Sequence, residues 1–449
     1  MLNLTHYCPI KKIQNKFTLS ISQYEIKSIS SIERRVKIVT RNNERSIMNQ
    51  KLDIKELISA QKPGWSLDQR FYNDPDIYQL ELDHIISQNW IFAGHESQIP
   101  NAGDFRVINV ANESAIIVRN KDGELKAFAN VCRHRGSLVC LESEGSTKKF
   151  SCPYHGWVYN LDGELTAARN MPNDFDKSDF SLHKLSIDII YGLVFVCFSD
   201  KPPSWDGAKR DLKEPMEMFD FENLKVAAEI TYPIEANWKL SIENYQECYH
   251  CATAHPEYAK MHTLMLDDSK RDRVQEHMLE RMESCGIKNI EIDFIDMKAR
   301  EGEQGYGYSR TALFKGYKTG SKDGEAVAPL LGNFKGYDGG ASDFSFGAFT
   351  FILAYSDHVV VYVFTPVDIC NSECKIYWLV RNDAEEGTDY NKDDLVWLWD
   401  VTTHADKTII VNNRKGVESK YYVPGPFSGM EDAESVYIQW ILKELAARI

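Results

Sequence analysis

At 449 residues and 43% hydrophobic content, the chain is long enough for two or three domains around sizeable cores, which excludes a disordered or fibrous protein. Its 52 Lys and Arg against 66 Asp and Glu give a net charge of −14, which argues against nucleic acid or anionic membrane as a partner. Ten cysteines are too few for a disulfide scaffold of this length, and without a secretory apolar segment a reducing, cytoplasmic setting fits best.

The charge is segregated along the chain. Residues 1–47 hold nine Lys and Arg against three acids, a net of +6, which leaves −20 for residues 48–449. This basic head has no apolar period and is read as an extension outside the fold. It is either sequence upstream of a start at Met48, the favoured reading, or a transit peptide that would place the protein in an organelle. Helical patterning begins with Leu52, Ile54, Leu57 and Ile58, and residues 48–84 are expected to form a helical segment belonging to the catalytic half.

From 85 to 200 the apolar residues fall into short runs punctuated by turns: Phe105–Val110, Ser114–Val118, Leu125–Val131, Phe150–Ser151, Val158–Tyr159 and Gly192–Phe198. Asn120–Gly123 and Asn160–Gly163 are hairpin signals, so an all-β domain is expected. The run Ile189–Phe198 reaches about half of the roughly 20 residues a membrane-spanning helix needs. Lys201-Pro202-Pro203-Ser204 reads as a linker into residues 201–449. That half mixes helices near Trp238–Ala252, Asp268–Cys285, Asp393–Asn413 and Ser435–Ile449 with strands over Phe344–Tyr355, His358–Val367 and Cys374–Arg381. The fold class is therefore α+β: an all-β domain, then an antiparallel sheet flanked by helices.

Two groups of residues carry chemistry. The first is Cys132-Arg133-His134 followed, seventeen residues on, by Cys152-Pro153-Tyr154-His155. A zinc finger would pair Cys with Cys and then His with His, whereas alternating Cys and His suits a Rieske [2Fe–2S] cluster, two thiolates on one iron and two imidazoles on the other. Gly136, Pro153 and Gly156 are expected to let the two loops close tightly over it. Cys140, Cys197, Cys285, Cys370 and Cys374 read as small buried hydrophobes.

The second group is Glu247-Cys248-Tyr249-His250 running to His255-Pro256. Glu247 and His250 would share a helix face. His250 and His255 would lie some 140° apart on an ideal helix, so they can meet at one ion only if the helix loosens or ends between them. Pro256 disfavours helical geometry at His255 and points to such a break. Two imidazoles plus one carboxylate from elsewhere make the facial triad of non-haem Fe(II) oxygenases.

Together these motifs, over roughly residues 65–445, resemble the α subunits of Rieske non-haem iron oxygenases. The resemblance implies Asp406, ahead of Gly416-Val417-Glu418-Ser419, as the carboxylate ligand beside His250 and His255. It also implies that Glu247 is a bridge from His250 to His155 of a neighbouring chain, and hence a homotrimer. Glu in place of the more usual Asp at the bridge, with Ala93-Gly94-His95-Glu96 and Pro100–Phe105, resembles the quaternary-ammonium branch, which acts on glycine betaine, carnitine and choline. A small cationic or zwitterionic substrate also suits the aromatic content of the catalytic half: Tyr245, Tyr249, Tyr306, Tyr308, Phe344, Phe346, Phe349, Phe351, Tyr355, Tyr421 and Tyr422. About a quarter of these are expected to line a pocket.

No Gly-x-Gly-x-x-Gly follows a strand, so NAD(P)H would be used only indirectly, through a separate flavin/iron–sulfur reductase docking near His134 and His155. The expected reaction uses O₂ to hydroxylate an N-methyl group, with loss of formaldehyde. The alternatives are an aromatic-ring dioxygenase or O-demethylase with the same metals, and an electron carrier that would leave the second group unexplained.

Overall fold

The computed structural model describes residues 53–266, 268–288, 302–447 and 449. The expected extension over residues 1–47 lies outside these. In the first compact unit, which ends at Ala60, the described residues 53–60 form a helix. Gln61–Ile449 form a second compact unit built on two large antiparallel sheets.

The first sheet contains β1 (Ile91–His95), β2 (Asp104–Val110), β3 (Glu113–Arg119), β4 (Leu125–Ala129), β5 (Glu144–Ser146), β9 (Lys184–Ile190) and β10 (Leu193–Cys197), ordered β1-β10-β9-β4-β3-β2-β5. A small sheet of β6 (Phe150–Ser151), β7 (Val158–Tyr159) and β8 (Leu165–Ala167) stands beside it. The two Asn-x-Asp-Gly turns are made alike. Asn120 Oδ1 accepts from the N–H groups of Asp122 and Glu124, Asn160 Oδ1 from those of Asp162 and Glu164, and each turn ends in a left-handed glycine, Gly123 (φ 83°) or Gly163 (φ 79°).

The second sheet contains β11 (Leu224–Ile234), β12 (Tyr306–Ala312), β13 (Gly340–Phe346), β14 (Thr350–Ala354), β15 (Val359–Asp368) and β16 (Asn371–Arg381), ordered β11-β16-β15-β14-β13-β12. The stretch expected as one strand, Phe344–Tyr355, is two, because a turn through Gly347 (φ 65°) folds β14 back on β13. Strand β11 escapes an alternation search because Glu229 and Pro233 interrupt it. It tolerates the proline because it is an edge strand, paired only with β16.

Five helices matter to the site: α1 (Trp238–Tyr245), α2 (Cys251–Ala254), α3 (Asp268–Ser284), α4 (Lys392–Val417) and α5 (Asp432–Ala446). Helix α4, about 39 Å long at 1.5 Å per residue, starts where Asn391 accepts from the N–H groups of Asp393 and Asp394. Acids in its first turn and Arg414 and Lys415 in its last both suit the helix dipole. Its buried face runs Leu395, Leu398, Trp399, Thr402, Thr403, Ile410, the spacing of one helical stripe.

The two large sheets share a core. Phe92 and Phe195 of the first sheet meet Tyr377 and Phe346 of the second, and Arg106 on β2 pairs with Glu229 on β11 at 2.7 Å. None of the described helices is long and apolar enough to cross a membrane.

Candidate metal centres

The first group lies on two loops of one design. In the loop after β4, Cys132 N–H donates to Ser137 O and Gly136 N–H to Cys132 O; in the loop between β6 and β7, Cys152 N–H donates to Trp157 O and Gly156 N–H to Cys152 O. Gly136 (φ 76°) and Gly156 (φ 68°) are both left-handed, yet a Cβ at either would meet open space. Their left-handed backbone favours glycine whatever the space around them.

Cys132 and Cys152 are buried within hydrogen-bond reach of each other, while His155 is exposed and His134 half-buried. The imidazole Nδ1 atoms of His134 and His155 lie 3.1 Å apart, and His134 stacks on Trp157 with ring centroids 4.7 Å apart. Without a metal only a shared proton reconciles two ring nitrogens at that distance; an iron accepts both. Burial pushes the Cys132 thiol above its usual pKa, so a metal is also what would hold it as thiolate, with the Tyr159 hydroxyl 3.3 Å from Sγ. The four side chains fit a Rieske cluster.

The second group sits where a helix stops. Helix α1 ends at Tyr245 instead of running to Ala252, so Glu247 and His250 meet around a turn and not across a helix face. The Glu247 carboxylate accepts from the N–H groups of Tyr249 and His250 and, at very short range, bonds His250 Nδ1. That leaves His250 Nε2 pointing at Asp406 Oδ1, 3.2 Å away. The one-turn α2 follows, and His255, ahead of Pro256, is extended at φ −143°, ψ 78°. The expected break is present, and it brings His255 Nε2 to 3.1 Å from the same Asp406 oxygen.

Asp406 reaches this point because it continues the buried stripe of α4, seven residues after Trp399. Asp400, off that stripe, accepts from Tyr232 instead. Burial works to lower the His250 pKa, but hydrogen bonds to Asp406 and Glu247 outweigh it and lift it to about 9. Burial works to raise Asp406, and the two histidines outweigh it in the other direction. His255 Nδ1 is buried without a partner among the described residues. Two imidazoles converging on one carboxylate oxygen fit a 2-His-1-carboxylate metal site, where a metal takes the place of the protons. Cys251 also lies within 4.8 Å of the two histidine nitrogens, but its sulfur is tied in a disulfide to Cys248, which the sequence reading did not pair although Cys-x-x-Cys was the signal.

A cavity of about 1050 Å³ opens beside this group. Of the eleven aromatics considered, Tyr245, Tyr308, Phe344 and Phe351 line it; Tyr306, Phe346, Phe349 and Tyr355 pack in the interior, Tyr249 and Tyr421 are exposed, and Tyr422 lines a different cavity. The reading missed Tyr258, Tyr362 and Trp399 in the wall. It also missed Asp343 on β13, whose carboxylate takes no hydrogen bond or ion pair among the described residues and which no pattern in the sequence marks. Burial, eased in part by Arg310, pushes Asp343 up to about 7.

Residues 89–185 match the Rieske [2Fe-2S] domain, and residues 221–447 match the ring hydroxylating alpha subunit (catalytic domain). This chain belongs to the Rieske non-haem iron oxygenases. As such it is an enzyme that works with a Rieske cluster and a mononuclear iron. The oxygenase is 32% identical over 375 residues to the glycine betaine monooxygenase oxygenase subunit of Pseudomonas aeruginosa (strain UCBPP-PA14), covering 83% of this chain and 87% of that protein. It is 30% identical over 371 residues to the carnitine monooxygenase oxygenase subunit of Escherichia coli (strain K12), covering 80% and 86%. Among solved structures it resembles a quaternary ammonium Rieske monooxygenase in complex with L-carnitine, with a TM-score of 0.63 at 22% identity over 86% of this chain and 97% of that one. A likeness of the same size, at 19% identity over 89% and 98%, links it to naphthalene 1,2-dioxygenase from Rhodococcus sp.. At these identities the structural likeness is one of fold.

Proposed function

We propose that this oxygenase removes an N-methyl group from a quaternary ammonium compound of the glycine betaine type, with electrons from a separate flavin/iron–sulfur reductase. The observation that carries the reading is the wall of the iron cavity, where Asp343 stands unpaired among Tyr245, Tyr258 and Tyr308. A carboxylate that takes no hydrogen bond or ion pair among the described residues, and whose charge Arg310 relieves only in part, is costly to ionise, and aromatic faces attract cations, so the wall is complementary to a trimethylammonium group. The 32% identity to a glycine betaine monooxygenase oxygenase subunit supports the same substrate class.

In this reading Cys132, His134, Cys152 and His155 would hold the cluster, and His250, His255 and Asp406, whose Nε2 and carboxylate atoms converge, would hold the iron. The iron, once bound, supplies the oxygen activation that ordinary side chains cannot. The protein's own part is positional: Glu247 fixes the His250 tautomer through Nδ1 and serves as the bridge to His155 of the next chain in a homotrimer. The cavity wall turns one methyl of the cation toward the triad. The stoichiometry is substrate plus O₂, two electrons and two protons, giving the N-hydroxymethyl compound and water; that compound then breaks its C–N bond to release formaldehyde, the demethylated amine and a proton.

The test is NAD(P)H-dependent formaldehyde release by the iron-reconstituted protein with a reductase, across glycine betaine, carnitine, choline and a set of aromatic acids. Formaldehyde from a quaternary amine is the expected result. A diol or phenol from an aromatic acid, with no amine turned over, would overturn the substrate class and leave the metal sites standing.

A further inference from the structure

A second cavity, of about 340 Å³, backs onto the first. Asn244 and Glu247 line both and form the wall between them. The carboxylates of Glu243, Glu247, Glu431 and Glu434 face this second space, and no Lys or Arg lines it. Glu434, in the first turn of α5, is 7% exposed and makes no hydrogen bond or ion pair among the described residues. Glu243, 6% exposed on α1, accepts from the Tyr72 hydroxyl at 2.9 Å. Lys239, which lies near enough to neutralise Glu243 in part, is committed to Glu81, with its Nζ 2.7 Å from both carboxylate oxygens. Glu431, half-buried just ahead of α5, accepts from the Ser428 N–H.

Resting on the oxygenase reading, we propose that Glu434 and Glu243 are a proton store that serves the iron cavity across the Asn244–Glu247 wall. Reductive activation of O₂ consumes two protons with its two electrons, and acids standing beside the iron cavity can supply them faster than water alone. Glu434 faces Glu243, Glu247 and Glu431 together with the Tyr72 and Tyr422 hydroxyls, an environment with no facing cation. Burial and then the neighbouring acids push it up to about 10, so it holds its proton at neutral pH. Burial pushes Glu243 up to about 7, so it gains and loses a proton readily there. One acid keeps a proton in reserve and the other passes it on; neither touches a proposed iron ligand.

Two measurements test this on Glu434→Gln and Glu243→Gln. In metal-free protein, infrared spectroscopy should show a protonated-carboxyl C=O band at neutral pH that titrates near pH 10 and is missing from Glu434→Gln. In the complete enzyme, reduced beforehand and mixed with O₂ and glycine betaine, reoxidation of the cluster should slow at least about tenfold in Glu434→Gln, with an altered solvent deuterium isotope effect. An unchanged band, or wild-type reoxidation with an unchanged isotope effect in both variants, would overturn the store. Should Glu434→Gln fail to fold, the reoxidation rate of Glu243→Gln decides. The infrared band does not depend on substrate, so failure of the N-demethylation reading would be seen separately as absence of formaldehyde.

Discussion

The proposed substrate class turns on Asp343 in the wall of the iron cavity. If its carboxylate is the counterpart of a substrate cation, binding needs the ionised form, which grows as pH rises through about 7. kcat/KM for a quaternary amine should therefore climb across that range and level off above it, because this quantity reports ionisations of the free enzyme. Asp343→Asn should lose that limb and raise KM about tenfold or more, the equivalent of about 1.4 kcal/mol. An unchanged KM and pH profile would remove Asp343 from substrate recognition. The contrast with the proposed metal residues is instructive. Cys132, His134, Cys152, His155, His250 and His255 are legible in the sequence because ligand type and spacing are themselves the chemistry. Asp406 is implied only by the family resemblance; the buried stripe through Trp399, Thr402 and Ile410 then explains why it and not Asp400 reaches the two histidines. Asp343 is not legible, because a single acid in a strand has no partner in the sequence to mark it, and its meaning comes from Tyr245 and Tyr258, far away in the chain.

The elements differ in how far they can be read. The Asn-x-Asp-Gly turns are carried by local hydrogen bonds from one asparagine, so four residues suffice to find them. Helix α1 is over-read because the periodic residues continue past Tyr245, whereas the chain turns to place Glu247 against His250. The cluster loops show the difference between room and conformation, and two substitutions of opposite sign measure it. Gly136→Ala meets no steric neighbour but must adopt φ 76°, which costs about 1–2 kcal/mol. Gly416→Ala, in the exposed last turn of α4 with open space around it and no left-handed φ, should gain about 0.5–1 kcal/mol from helix propensity. Thermal unfolding should show the first variant less stable and the second more stable than the parent, and iron–sulfur content should fall only in the first. Equal behaviour of the two would mean that the loop glycine carries no conformational load.

The whole molecule is the least legible level, since the shared core of Phe92, Phe195, Phe346 and Tyr377 joins strands far apart in the chain, and no local pattern announces it. The proposed trimer makes a sharper demand, that the cluster of one chain serves the iron of the next through Glu247. Two inactive variants can test this together. Cys132→Ser should lose the cluster and keep the iron; Asp406→Ala should lose the iron and keep the cluster. If electrons passed within one chain, no mixture of the two could work, because each chain would lack one centre. If they pass between chains around a ring, a Cys132→Ser chain followed by an Asp406→Ala chain is a working pair. Random co-assembly at equal amounts makes half of the irons competent and gives half of those a competent neighbour, so activity should return to about a quarter of the parent value. Adding Glu247→Gln to the Cys132→Ser chain should abolish the recovery, because that chain carries the only surviving iron and hence the only bridge in use.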